Sequence, residues 1–200
     1  SRHLPLMKEA LGWVGHLPTR SRGTIGGSIA HADPSAELPM ILLALDGAVV
    51  AAGISGERVV AADDLFSSFF TTTLAPTEIL SEVRIPIMPP RSGFAVEEFA
   101  RRKGDFAIVG VAVVLDGDAN RCTRARLATA GVGGRPMRLR AAEDLLEKNG
   151  LGAASIAAAS RMALETVQPT SDPNASADFR RHLTGVLAER ALLRAARMLK

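Results

Sequence analysis

Residues 22–39 read RGTIGGSIAHADPSAELP, and the chemistry of this run sets the terms for the rest of the chain. Gly26 and Gly27 let the backbone take positive φ and let an anion approach with no Cβ in the way. Thr24 and Ser28 add hydroxyl donors, and successive N–H groups there can form a concave anion nest suited to a pyrophosphate. Taken alone, a Gly-Gly pair is also an ordinary turn. Neither GxxxxGK nor GxGxxG is present. The run is predicted as a loop without helical period, with Asp33 and Ser35 turning the chain and capping a short buried helix from Glu37 to Leu45. His31 is the most tempting histidine, but a metal site needs more ligands, and His3, His16 and His182 lie in unrelated contexts. No nucleophile elbow, HExxH or cysteine–histidine signature appears. A phosphate cradle without a catalytic dyad points to a protein that holds a cofactor, which then does the chemistry. No catalytic residue and no metal ligand is assigned.

Upstream, Leu4, Met7, Leu11 and Val14 fall at helical spacing, with Gly15 as a stop. Downstream, AVVAAG and ERVVAA flank Ile54-Ser55-Gly56 as a hairpin, Asp63 or Asp64 caps a helix over DDLFSSFF, and Glu78–Ile87 reads as a strand. The Pro89-Pro90 pair followed by Arg91-Ser92-Gly93 is the expected domain boundary, an exposed linker with few crossing contacts. Beyond it come three strands, Gly93–Arg101, Ile108–Leu115 and Thr123–Ala130, with a turn at Asp116-Gly117-Asp118. Three helices follow, Met137–Lys148, Ala154–Val167 and Ala177–Leu199. Strands followed by helices argue for an α+β domain. In the last helix, Phe179, Leu183, Val186, Leu187 and Leu193 are read as the core face. Arg180, Arg181, Arg190, Arg194 and Arg197 are read as its solvated face. Residues 101–105 are read as a charged surface turn, Trp13 as a packing side chain and Cys122 as an inert buried thiol.

The 200 residues are 47% apolar, enough for a real core. No apolar run approaches the roughly 18 residues that span a bilayer, and Ser1-Arg2-His3 opens no signal pattern, so a cytoplasmic protein is expected. One cysteine excludes an intramolecular disulfide and a cysteine-ligated cluster within the chain. Residues 1–90 carry 6 basic and 9 acidic side chains, and residues 91–200 carry 18 and 12. The basic residues are interspersed with acidic ones, and there is one Trp and no Tyr, so nucleic-acid binding is not expected.

Four motifs then resemble one family, in order and in register. RGTIGGSIAHADPSAELP (22–39) is similar to the second FAD-binding loop of molybdenum-hydroxylase flavoprotein subunits, the medium subunits of carbon monoxide and xanthine dehydrogenase type enzymes. ILSEVRIPIMP (79–89) resembles their next strand, and FARRKGDFAIVGVAVVL (99–115) the opening of their carboxy-terminal domain. VQPTSDPNASADFRRHLTGVLAERAL (167–192) resembles their last loop and helix. The resemblance implies an α+β chain in which residues 1–90 are the second lobe of a PCMH-type (vanillyl-alcohol-oxidase-like) FAD-binding domain. Residues 91–200 would be the flavoprotein C-terminal domain, a three-stranded antiparallel sheet with three helices. It implies FAD contacts at Thr24, Ile25, Gly26, Gly27, Ser28, Glu37 and Leu80. It further implies an iron–sulfur small subunit and a molybdopterin large subunit as partners, a dimer of heterotrimers, and electron flow from the clusters through FAD to an external acceptor. Family members begin with a lobe carrying another glycine-rich loop, of the AGGT or AGGH kind. None precedes Leu4, so that half of the clasp is expected from a separate chain, an oligomer partner or a longer parent polypeptide. The alternative reading is a family-derived assembly module that no longer binds FAD.

Overall fold

The computed structural model describes residues 3–118 and 121–199. Ser1 and Arg2, on which the reading of the chain start rests, lie outside the described residues.

The organising element is a sheet of order β6-β7-β8-β9, built from β6 (Gly93–Phe99), β7 (Val109–Gly117), β8 (Cys122–Ala130) and β9 (Met137–Arg138), all antiparallel. The three expected long strands are present. The two-residue β9 is an addition, too short to carry an alternation, and it takes up the residues expected to open a helix at Met137. In β7, Val109 through Leu115 are all buried. Its odd-numbered members, Val109, Val111, Val113 and Leu115, join a core with α6 (Arg140–Asn149), α7 (Ala153–Thr166) and α8 (Ala177–Arg197). Its even-numbered Ala112 and Val114, with Val96 of β6 and Ala128 and Ala130 of β8, join a second core on the opposite face. Successive side chains point to opposite faces, so an uninterrupted apolar run means a strand covered on both sides.

The cover on the even face is α4 (Glu37–Ala44), whose eight residues are all buried. A helix apolar nearly all round belongs in a core rather than at a surface. Around it pack α1 (Pro5–Ala10), α3 (Ile25–His31) and α5 (Ala62–Leu65), together with buried side chains of a small sheet of order β2-β1-β5. That sheet comprises β1 (Ala48–Gly53), β2 (Gly56–Ala61) and β5 (Ile79–Arg84), and the expected hairpin forms between β1 and β2. DDLFSSFF behaves differently from expectation. Ala61 is the N-cap of the one-turn α5, and the chain then turns through the ribbon of β3 (Phe66–Ser68) and β4 (Thr71–Thr72). The short α2 (Leu17–Arg20) precedes α3.

A charged network rivets the end of α4 to the large sheet. Asp46, at φ 50°, accepts from Arg138 at 2.7 Å and from Arg124 at 2.8 Å. Arg138 also donates to Leu43 O at 3.1 Å and to both oxygens of buried Glu143, whose Oε1 takes the Leu127 N–H at 2.8 Å. A buried pair of this kind is costly to break, roughly 3–5 kcal/mol when one partner is lost, because the other charge is stranded.

The segment at the proline pair is exposed as expected at its centre and packed at both ends. Pro89, Pro90 and Arg91 are exposed, but Met88 and Ser92 are buried, and Ser92 Oγ bonds Asp116 at 2.5 Å. Gly93 lies so close to the α8 backbone at Ala195 that a Cβ would collide with it. The first 90 residues supply the cover for one face of the large sheet. Residues 91–200 expressed alone should therefore bind a hydrophobic dye and lack a cooperative thermal transition. A sharp transition without dye binding would show that this face needs no cover.

Candidate functional site

A cleft of about 970 Å³ opens at the end of α4 remote from Asp46. One wall is the start of α3 with Thr24, Ile25, Gly27 and Ser28. Another is the 101–108 loop with Arg101, Arg102, Asp105 and Phe106, and Glu37 and Asp33 form part of the floor. Asp172, Asn174 and Arg180 close a third side.

The glycine pair lies inside a helix, not in the loop expected from its composition. Thr24, extended at φ −123° and ψ 155°, is the N-cap, and its Oγ1 accepts from Gly27 N at 2.9 Å. The cap is what allows a glycine-rich segment to start a helix; its side chain satisfies one of the N–H groups left open in the first turn. Among the described residues the N–H groups of Ile25 and Gly26 have no acceptor. A Cβ on Gly27 would lie 2.7 Å from the Thr24 hydroxyl, so any side chain there breaks the cap. At Gly26 a Cβ would meet Leu80 at an ordinary 3.6 Å. The signal that could have located α3 is Thr24 followed by the apolar Ile25 and Ile29, masked by two weak helix formers.

Of the seven expected contact residues, Thr24, Ile25, Gly27, Ser28 and Glu37 line the cleft. Gly26 and Leu80 stand together beside it, against each other rather than on its wall. Glu37 is buried at the first turn of α4. Burial raises its pKa, its own backbone N–H lowers it, and Asp33 raises it again.

Several residues depart from expectation. Arg180 is buried rather than solvated: Nη1 donates to Ile108 O at 2.5 Å and Gly131 O at 2.9 Å, and Nη2 to Asp172 at 2.6 Å. It thereby ties the 172–175 turn to the sheet ends. Arg194 is likewise engaged, with Glu97 and Glu9. Phe179 and Leu193 are exposed, while Leu183, Leu187, Ala191 and Leu192 form the buried stripe of α8. The 101–105 turn is exposed as expected, and it is also a wall of the cleft. Gly104, at φ 89°, lets it pass against His16, whose ring is 3.5 Å from Asp105. Arg22 and Arg101 reach the cleft with no side-chain bond among the described residues. Sequence reasoning missed Phe70, an exposed aromatic at φ 51° whose ring stands 5.0 Å from that of His31. A bulky residue with positive φ is an outlier worth noting.

Residues 1–88 match the family described as the FAD binding domain in molybdopterin dehydrogenase, and residues 94–195 match the CO dehydrogenase flavoprotein C-terminal domain. The chain belongs to the FAD-binding medium subunits of the molybdenum hydroxylases. Members of this family are subunits of FAD-dependent oxidoreductases, and FAD is the cofactor of the domain matched here. The chain is 42% identical to 6-hydroxypseudooxynicotine dehydrogenase complex subunit alpha of Paenarthrobacter nicotinovorans, over 98% of its own length and 66% of the relative's. It is 32% identical to the carbon monoxide dehydrogenase medium chain of Afipia carboxidovorans, over 96% and 67%. Carbon monoxide dehydrogenase from Hydrogenophaga pseudoflava superimposes with a TM-score of 0.96 at 32% identity, covering all of this chain and 69% of that one. The chain thus spans about two thirds of these medium subunits. Among the described residues no helix is long and apolar enough to cross a membrane, and no group of three His, Cys, Asp or Glu could hold a metal.

Cys122, the one cysteine of these 200 residues, is buried at the start of β8. Burial, with Glu147 nearby, pushes its pKa up to about 11. At pH 8 the thiolate fraction is about one in a thousand. A disulfide reagent should leave it unmodified in the native protein and react promptly once denaturant is added. Rapid native labelling would show that it is accessible.

Proposed function

We propose that this chain carries FAD in the cleft and serves as the electron-transfer subunit of a molybdenum hydroxylase, between an iron–sulfur small subunit and a molybdopterin large subunit. FAD, when bound, accepts electrons from the clusters and delivers them to an external acceptor. The observation that carries the reading is the start of α3. There a capped turn with glycine at 26 and 27 leaves the Ile25 N–H unbonded on the cleft wall and the Gly26 N–H unbonded beside it, and the other wall bears Arg101, which has no side-chain bond among the described residues. Those features fit a diphosphate. Thr24, Ile25, Gly26, Gly27 and Ser28 are assigned to it, with Arg22 and Arg101 supplying opposite charge. Glu37 is assigned as an acceptor on the cleft floor, and Leu80 as the apolar backing of the glycine turn. No residue is assigned a catalytic acid or base role; the protein positions the cofactor and shields it.

Residues 1–90 are proposed as the second lobe of the FAD-binding domain and residues 91–200 as the flavoprotein C-terminal domain. The assembly is proposed as a cytoplasmic dimer of heterotrimers. The assembly-module alternative is not favoured, because the cap, the glycines and the free amides of the cradle are all intact. Substrate choice is assigned to the molybdopterin subunit.

Gly27→Asp in the complete polypeptide should abolish FAD retention, measured by visible flavin absorbance after desalting. The change places a carboxylate where a phosphate must sit and a Cβ against the Thr24 hydroxyl. Circular dichroism controls for folding, and a folded variant that keeps its FAD would overturn the assignment.

Electron delivery is checked separately by anaerobic stopped-flow. The flavoprotein alone should show no flavin bleaching with substrate, because on this reading the electrons come from clusters held by another subunit. Adding the other two subunits should restore it. Bleaching by the single subunit would remove the relay role.

A further inference from the structure

The most unusual polar group outside the cradle is Glu98. Its position in β6, opposite Gly110 of β7, turns its side chain toward α4 on the same face as Val96. Both carboxyl oxygens are inaccessible and have no hydrogen-bond partner, and the residue is 8% exposed. A buried charge normally has a partner or gives up its charge.

No cation is available to it among the described residues. Gly110 opposite has no side chain. From α8, Arg194 is committed to Glu9, Glu97 and Val96 O, while Arg180 is committed to Asp172, Ile108 O and Gly131 O. From α1, Glu9 is committed to Val96 N and to Arg194. The approach to α4 brings Asp33, and the first turn of α4 brings Glu37. Burial and the Glu37 carboxylate push the Glu98 acid up to about 8. Two neighbouring acids without a cation cannot both ionise cheaply. Glu37 has the better claim to the charge, because it stands at a helix start and faces its own backbone N–H. Glu98, enclosed and unbonded, does not.

We propose that Glu98 is a positioning residue that keeps its proton at neutral pH and so leaves Glu37 as the sole charged carboxylate of this pair on the cleft floor. It acts through Glu37, and this part rests on the FAD reading. When Glu98 ionises, a second negative charge appears beneath the cleft, and an anionic dinucleotide is repelled.

The test uses the complete polypeptide, Glu98→Gln as the mimic of the protonated acid and Glu98→Leu as the apolar control. Infrared spectra at pH 7 should show a protonated-carboxyl carbonyl band in the parent that both variants lack; its absence from the parent overturns the proposal whether or not FAD binds. FAD affinity should be level below pH 8 and fall about tenfold per pH unit above it in the parent. In Glu98→Gln it should match the parent within about twofold at pH 7 and lose the alkaline fall. An alkaline fall that survives in the variant overturns the coupling to Glu37. Stability gives a third readout. A carboxyl raised above its ordinary value holds its proton only in the folded state, so its contribution is present below about pH 4.5 and lost as pH rises through about 8. The parent should therefore melt progressively lower across that window, and Glu98→Gln and Glu98→Leu should each flatten the slope, leaving the share due to Glu37. Should FAD fail to bind the parent at any pH, the cofactor reading fails, while the infrared band and the melting slope still decide the protonation of Glu98.

Discussion

Strand β7 is covered on both faces, and most of the architecture follows from that. A strand with Val, Gly, Val, Ala, Val, Val and Leu in succession has no face to give to water. One side is closed by α6, α7 and α8. The other needs a helix that is itself apolar on nearly every side, which α4 is. The two halves of the chain therefore do not meet as finished bodies. Each supplies what the other lacks, and the proline pair between them runs along a joined surface. Small side chains set the spacing: opposite Met40 stands Gly110, where a Cβ would approach the thioether at 3.4 Å.

The two ends of α4 serve different purposes. At its C-terminal end the chain turns through Asp46, and three arginines, 124, 126 and 138, converge on that carboxylate. This end is rigid and closed. Its N-terminal end emerges among the strand-end loops, where nothing of comparable charge seals it. Glu37 stands in that opening, α3 reaches it through the Asp33–Pro34 turn, and Gly131 N bonds Pro34 O at 2.8 Å to bring the sheet end alongside. The cleft is thus the unsealed end of the buried helix. The Arg180–Asp172 pair keeps the last loop in place beside it.

Long periodic elements were legible in the sequence, and so was the hairpin between β1 and β2. Five of the seven residues expected at the cofactor reach the cleft, because the motif that carried them is local and contiguous. What escaped was decided by tertiary packing. Arg180 and Arg181 are adjacent and identical in type, yet one is buried on two carbonyls and the other pairs with Asp178 at the surface. No local pattern separates them. The stripe of α8 was only partly legible for a related reason: Leu183 and Leu187 are buried as expected, but Phe179 and Leu193 are not. Alanines at 188, 191 and 195 are fully buried where the helix presses on the sheet, while the larger Phe179 and Leu193 face outward. A reading that weights big side chains overlooks the alanines when close approach needs small ones. The helix at Ile25–His31 was hidden by its own glycines, since weak propensity was overridden by one capping hydroxyl.

That capping hydroxyl also bears on what the cleft can recognise. Arg22 and Arg101 are exposed, and exposed charges contribute little each, about 0–1 kcal/mol in water, with screening over about 8 Å at physiological salt. They attract an anion from either wall but do not fix where it rests. The amides of Ile25 and Gly26 are fewer in charge and better placed. They are held by backbone geometry and need no side-chain ordering, Ile25 on the cleft wall and Gly26 beside it. Thr24 fixes that geometry by taking the Gly27 N–H for itself. On the reading proposed for this cleft, position is a backbone property and attraction a side-chain one. The two are separable: a charge change at Arg22 or Arg101 leaves the Thr24 cap untouched, whereas a side chain at Gly27 does not.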